Sequence, residues 1–309
     1  MRILAVDDDP SILELLESVL AAFGYEDIVT ARSGQEALDI LNDPKEVFDC
    51  LLLDVQMPQM NGIALCEEAR KLPGYTFTPI IMVTAMVQKQ YIDEAFEAGA
   101  TDYVTKPFEF SDLKQRLGDA YRMAAERRAA IEVFEADGYT WQEPELSSEM
   151  RLSDPLFFGD LPGCMGLSEF ENYVIQLSTM HSMVSKIVAI KVADVERIFQ
   201  SSSAAEFRKT MGAAGAALLM ATKNERNFAT YWGNGVFLLL LDSEMELSPG
   251  QLRAPLSEVA DSSSTDTTMA FQVGKEVALK ASSKMEALFL IDKAVEMAEM
   301  IEDQVAQFG

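Results

Sequence analysis

The residues of this chain best suited to chemistry each follow a short apolar run. Asp7-Asp8-Asp9 follow Ile3-Leu4-Ala5-Val6, and Asp54 follows Cys50-Leu51-Leu52-Leu53. Thr84-Ala85 end the run Ile80-Ile81-Met82-Val83, and Lys106-Pro107 come just after Tyr103-Val104. Carboxylates drawn together repel and raise one another's pKa. A hard divalent cation relieves that, and Mg²⁺ takes one or two carboxylates while keeping waters or phosphate oxygens as its other ligands. A lysine ammonium and a threonine hydroxyl beside such a cluster suit an incoming phosphoryl oxygen. The chemistry is phosphoryl transfer to a carboxylate, giving an acyl phosphate.

Residues this far apart meet only if the chain between them folds in one particular way. The runs, with Ile28-Val29 as a fifth, are continuous rather than alternating, which fits strands covered on both faces. Helical patterns lie between and after them, at about 11–23, 34–42, 61–72, 88–98 and from 111 onward. Strict alternation predicts an α/β domain with a doubly wound, five-stranded parallel sheet. The acids, Thr84 and Lys106 then emerge together at the carboxyl edge, where such sheets bind ligands. Asp9-Pro10-Ser11 reads as the cap of the first helix. Met57-Pro58 and Asn61-Gly62 read as turns that shape the loop after Asp54.

The ordered set Val6-Asp7-Asp8, Leu53-Asp54-Val55-Gln56-Met57-Pro58, Asn61-Gly62, Val83-Thr84-Ala85 and Tyr103 with Lys106-Pro107-Phe108 resembles the CheY-like receiver domain of bacterial two-component response regulators. The resemblance covers residues 1–122 and implies a flavodoxin-like fold. It implies that Asp54 is the nucleophile and phosphoacceptor. Asp8, Asp54 and the backbone carbonyl of Gln56 would ligate Mg²⁺, with Asp7 holding the ion through water. Thr84 would hydrogen-bond the phosphoryl group and Lys106 would pair with it, while Tyr103 would change rotamer with Thr84. The implied phosphodonor is a sensor histidine kinase or a phosphotransfer protein.

The last receiver helix runs on past the receiver: Leu113, Leu117, Ala120, Tyr121, Ala124, Arg128 and Ile131 keep a helical spacing to about residue 135. Two readings stay open: a signalling helix or dimer stalk, or a helix folding back on its own chain. Residues 123–159 are assigned to this helix and an acidic linker, in which Tyr139, Trp141, Phe157 and Phe158 point to docking on a surface.

Residues 160–309 read as a second, α+β domain. Strands are expected at about 187–193, 226–232, 236–241 and 268–273, with helices at about 204–222, 249–261 and 284–305. Gly233-Asn234-Gly235 reads as a tight hairpin. The segment Tyr231-Trp232-Gly233-Asn234-Gly235-Val236-Phe237, with Leu161-Pro162-Gly163, Ala193-Asp194-Val195-Glu196, Val273-Gly274 and Asp292-Lys293-Ala294, resembles a GGDEF (diguanylate cyclase) domain that has lost its signature. Gly235 and Val236 stand where that family has its acidic pair. Asp194 alone remains of the metal ligands, and one carboxylate is a poor site for two Mg²⁺ ions. Ser202 and Met211 stand at the guanine-binding positions, and Asn224 and Asn227 at those of the inhibitory site. A degenerate class III nucleotide cyclase is the related reading. It lacks a second metal carboxylate at Asn234, and Glu296 and Met300 replace its catalytic pair. Both readings imply a ferredoxin-like core. The expectation is a response regulator whose phosphorylation switches a catalytically inactive output domain, acting by protein interaction or homodimerisation. The alternative is a phosphorylation-regulated diguanylate or class III cyclase.

Composition bounds these readings. A length of 309 residues suits two domains. Twenty-five basic against 50 acidic residues give a net charge of −25, which repels nucleic-acid phosphates and anionic membrane surfaces, so neither partner is expected. Cys50, Cys66 and Cys164 form no CxxC pair and, being odd in number, no disulfide framework. The one histidine, His181, excludes multi-histidine zinc sites and reads as a packed or surface residue between Met180 and Met183. The 17 methionines read as core filler. No apolar stretch is long enough to span a membrane and no signal peptide pattern is visible, so the expected location is the cytoplasm.

Overall fold

Each continuous apolar run in the first 120 residues becomes a strand. The computed structural model describes residues 1–122, 150–158, 161–179, 185–221, 227–242 and 270–306. The chain divides into two units, Met1–Trp141 and Gln142–Gly309.

The first unit runs β1 (Ile3–Val6), α1 (Pro10–Ala22), β2 (Ile28–Ala31), α2 (Gly34–Leu41), β3 (Cys50–Leu53), α3 (Gly62–Lys71), β4 (Ile80–Thr84), α4 (Lys89–Glu97) and β5 (Asp102–Thr105). A last helix, α5, covers 110–122. The strands form one parallel sheet in the order β2-β1-β3-β4-β5. Ile3, Ala5, Cys50, Leu52, Ile81 and Val83 pack on one face with Leu16 and Leu20 of α1 and Leu113 and Leu117 of α5. Their neighbours Leu4, Val6, Leu51, Leu53 and Met82 are equally buried, because successive strand residues point to opposite faces. The chain leaves β1 toward β2 on one side and returns to β3 on the other. The carboxyl ends of β1 and β3 therefore border the crevice where strand order reverses.

The first helix starts at the cap the sequence expects, and α3 starts at Asn61, which in the sequence reads as a turn. Asp9 Oδ1 accepts from the Ser11 N–H at 2.8 Å, with Pro10 opening α1. Asn61 Oδ1 accepts from the Ala64 N–H at 2.8 Å to start α3. At the opposite edge of the sheet, Arg70 donates to the carbonyls of Tyr75, Thr78 and Gly99, each at 2.6 Å. Burial pushes the Cys50 and Cys66 thiols up to about 12 and about 11, leaving both unreactive.

The second unit contains α6 (Leu167–Thr179), β6 (Ser185–Val192), α7 (Val195–Ser201), α8 (Ala204–Ala221), β7 (Phe228–Gly233), β8 (Val236–Asp242), β9 (Phe271–Val273), β10 (Val277–Leu279) and α9 (Lys284–Ala306). β6 is central. β8 and then β7 lie to one side, and β9 and β10 pair in turn with its other edge, all antiparallel. A parallel bridge from Cys164 to Ala229 makes the sheet mixed. One face carries Val188, Ile190, Val192, Tyr231 and Phe237 against Phe207, Met211 and Leu218 of α8. Leu156 and Phe158, from the stretch assigned to the linker, belong to this core.

The sequence pattern omits α6, α7 and β10. The last two have seven and three residues, too short for a periodic signal. α6 carries Phe170, Tyr173, Val174 and Leu177 at helical spacing, so its signal is present in the sequence. The 249–261 helix, the extension of α5 past 122, Tyr139, Trp141 and His181 lie outside the described residues. Among the described residues, no helix is long and apolar enough to cross a membrane.

Candidate functional site

Asp7 is the first residue past β1, and Asp54 the first past β3. The Asp54 N–H donates to the Val6 carbonyl at 2.9 Å, so the ladder between the two strands continues into the site. Both side chains are buried, at 2% and 6% residue exposure. Lys106 follows β5 and is anchored by its N–H to the Thr84 carbonyl at 2.7 Å. Its Nζ bridges the two acids, 2.5 Å from Asp7 Oδ2 and 3.0 Å from Asp54 Oδ1. The remaining oxygens accept from the main chain. Asp7 Oδ1 accepts from the Asp9 N–H at 2.9 Å, and Asp54 Oδ2 from the Gln56 N–H at 2.8 Å. Asp8, next to Asp7, is exposed. Burial raises the Asp54 pKa above its ordinary value. The hydrogen bond and charge of Lys106 oppose the rise, and the Asp7 charge adds to it.

Thr84 ends β4 and is fully buried. Its Oγ1 accepts from the Met86 N–H at 3.3 Å. The buried Tyr103 phenol donates to the Met86 carbonyl at 2.8 Å. Burial first, then the Asp54 charge, hold that phenol well above its ordinary pKa. The Met86 main chain thus ties Thr84 to Tyr103. Sequence reasoning missed Met86 because a residue acting through its backbone carries no side-chain signal.

The loop after Asp54 is sterically determined. A Cβ at Gly62 would lie 2.1 Å from the Asp54 carbonyl oxygen, so only glycine lets α3 start beside the acid. The Asn61-Gly62 pair is visible in the sequence as a turn. Its reason, the approach to Asp54, is not.

The side-chain donors at this edge are oxygens: the buried carboxylates of Asp7 and Asp54 and the exposed one of Asp8 next to Asp7. That hard set fits Mg²⁺ rather than a thiolate- or imidazole-seeking metal. Among the described residues no three acidic, histidine or cysteine side chains form a ready cage, and Lys106 supplies the positive charge between Asp7 and Asp54.

In the second unit Asp194 takes a left-handed conformation (φ 55°) before α7, and its exposed carboxylate pairs with Arg197 at 3.3 Å. Asn234 and Gly235, at φ 50° and 74°, make the two-residue hairpin turn. Gly235 packs so closely on Val195 that a Cβ would stand 2.6 Å from Val195 Cγ2. Its N–H donates to the Tyr231 hydroxyl at 3.0 Å. Val236 and Met211 are fully buried, whereas Glu296 is exposed. The structure therefore brings the hairpin beside Asp194 without adding a second acid from Asn234, Gly235 or Val236. Asn224 and the Met300 side chain lie outside the described residues.

Comparison with known proteins places the first unit. The response regulator receiver domain family matches residues 3–118. The chemotaxis protein CheY homolog of Campylobacter jejuni is 36% identical over 119 residues, which is 38% of this chain and 91% of that protein. The probable transcriptional regulator ycf27 of Porphyra purpurea is 42% identical over 123 residues, 40% of this chain. This chain spans about half of that regulator's length, 48%. Among solved structures, CheY4 of Vibrio cholerae is 36% identical with a TM-score of 0.36, covering 38% of this chain and 97% of its own. Through its first unit, the chain belongs to the response regulator receiver family.

Proposed function

We propose that this protein is a phosphorylation-driven switch in which Asp54 accepts a phosphoryl group from a phosphohistidine of a sensor kinase or phosphotransfer protein. An Asp54 carboxylate oxygen attacks phosphorus and the P–N bond breaks. The leaving imidazole takes a proton from water, and Asp54 becomes an acyl phosphate. Lys106 and the Gln56 N–H orient the carboxylate before transfer, and Lys106 then pairs with the phosphoryl oxygens. Mg²⁺, held by Asp8, Asp54, the Gln56 carbonyl and through water by Asp7, would neutralise charge on the transferring group. The observation that carries the reading is Lys106 Nζ seated between buried Asp7 and Asp54. The new dianion attracts the Thr84 hydroxyl away from the Met86 N–H. Tyr103, bonded to the same residue, follows, and the β4–β5 edge changes shape.

For the second unit, the order β9/β10-β6-β8-β7 supports a ferredoxin-like, cyclase-like core. The lone exposed Asp194 and the Val195–Gly235 packing support an output domain that works by contact, with a protein partner or a second copy. Strand order alone favours the alternative, a regulated cyclase. Incubating the full chain with Mg²⁺ and a small acyl-phosphate donor tests the switch by intact mass. An unlabelled wild type, or label that persists in Asp54→Asn, overturns it. Titration with Mg-GTP and Mg-ATP tests the output reading, for which no binding at micromolar nucleotide is expected.

A further inference from the structure

We infer that the second unit carries a peptide-binding groove along α8, filled in cis by residues 150–158, which form a releasable strap over the Gly233–Gly235 hairpin. Gly212 and Gly215 stand one turn apart on α8. A Cβ at Gly212 would touch the Phe158 ring at 3.4 Å, and one at Gly215 the Phe237 ring at 3.1 Å. Phe158 fills the space that Gly212 leaves, while Phe237 and Leu161 fill that of Gly215; Phe158 is 3% exposed and edge-on to Tyr231 with centroids 6.3 Å apart. Leu156, two residues earlier, is a second plug. Arg208, one turn before Gly212, clamps the strap. Its guanidinium lies 5.5 Å from the Phe158 ring centroid, and its Nη2 donates to the Phe157 carbonyl at 2.7 Å. At the other end the Asn234 N–H donates to the Leu152 carbonyl at 2.8 Å. The Ser153 carbonyl lies 2.4 Å from where a Cβ on Gly233 would stand, so the strap crosses the hairpin in direct contact.

The strap contributes no strand or helix. It is held by Leu156 and Phe158, by the partly buried Met150 and Leu152 on the same core, by the Arg208 clamp and by the Asn234 bond, and it can leave without unpairing β6, β7 or β8. Its departure uncovers Tyr231 and frees the Asn234 N–H. The groove selects an extended peptide with leucine and phenylalanine two residues apart and a carbonyl between them for Arg208.

Native-state hydrogen exchange on the full chain tests this. The strap amides and Asn234 should exchange through a local opening, roughly tenfold or more faster than the Ile187–Lys191 amides of β6. A fluorescent peptide of residues 150–158 should bind the Leu156→Ala/Phe158→Ala double variant and not wild type, whose groove is filled. Arg208→Ala, which leaves the core side chains in place, should by itself speed strap exchange while β6 stays unchanged, and it serves where the double variant does not fold. Strap and β6 amides exchanging together at global unfolding, a peptide that binds wild type and a folded double variant equally or neither, or an Arg208→Ala strap as slow as wild type overturns the inference.

Discussion

Replacing Lys106 with methionine keeps most of the aliphatic stem and removes the charge. Asp7 and Asp54, with side chains 4% and 7% exposed, are then left facing each other. At an effective dielectric near 20, each contact at these separations is worth roughly 6 kcal/mol of attraction, offset by the desolvation of the groups that make it. Stripping one partner from a buried pair costs about 3–5 kcal/mol net, and with Lys106 itself 17% exposed the lower end applies. A loss of about 3 kcal/mol corresponds to roughly a hundredfold in an opening equilibrium. Amides of β1 and β3 should therefore exchange about that much faster in chelating buffer, read by hydrogen exchange and mass spectrometry on the full chain. Adding Asp54→Asn to Lys106→Met removes the repulsion and should recover most of the loss. Mg²⁺ should also slow exchange in Lys106→Met, because a cation then replaces the ammonium. If Lys106→Met exchanges within about threefold of wild type, a difference worth only some 0.6 kcal/mol, or ignores Mg²⁺, the two carboxylates do not depend on that charge and the reasoning fails.

Two further outcomes follow from the same physics. In chelating buffer, Asp54→Asn should stabilise the receiver at neutral pH, because burial raises the Asp54 pKa above 3.8 and disfavours its ionised form in the fold. The folded state binds this proton more tightly than the unfolded one, so the residue's contribution falls as pH rises through the folded pKa. The variant's advantage is full above that value and disappears below 3.8. Denaturation at neutral and acid pH checks it, and an advantage that grows on acidification contradicts it. Arg70→Ala should cost about 3 kcal/mol by leaving the Tyr75, Thr78 and Gly99 carbonyls without their donor. The loss should appear first as faster exchange in the 98–101 loop, and unchanged exchange there would show that water replaces the guanidinium without cost.

The first unit is legible in the sequence because its strands are covered on both faces. Such strands need uninterrupted apolar runs, and each run hands its next residue to the same edge. Asp9 announces its helix because a cap acts within three residues of itself, whereas Asn61 reads as a turn and caps α3 in the same local way. The second unit is less legible. Leu156 and Phe158 sit among Pro, Gly and acidic residues that read as linker, yet they fill the core. Nothing local tells a leucine in a loop that it will meet α8. α7 and β10 escape notice because a turn or two of helix, or three residues of strand, carry no period.

By itself the sequence determined the alternation of strand and helix and the glycine-bearing hairpin turn, which depend on neighbours a few residues apart, and that alternation in turn implied the edge that gathers the acids. Only the tertiary structure decided that one ammonium serves both Asp7 and Asp54, across separations of 99 and 52 residues. It alone decided that Thr84 and Tyr103 meet at the backbone of Met86, and that a stretch resembling a linker closes over the hairpin. Those contacts are set by how packed elements stack in space, and periodicity along the chain does not encode which distant atoms the stacking brings within hydrogen-bonding reach.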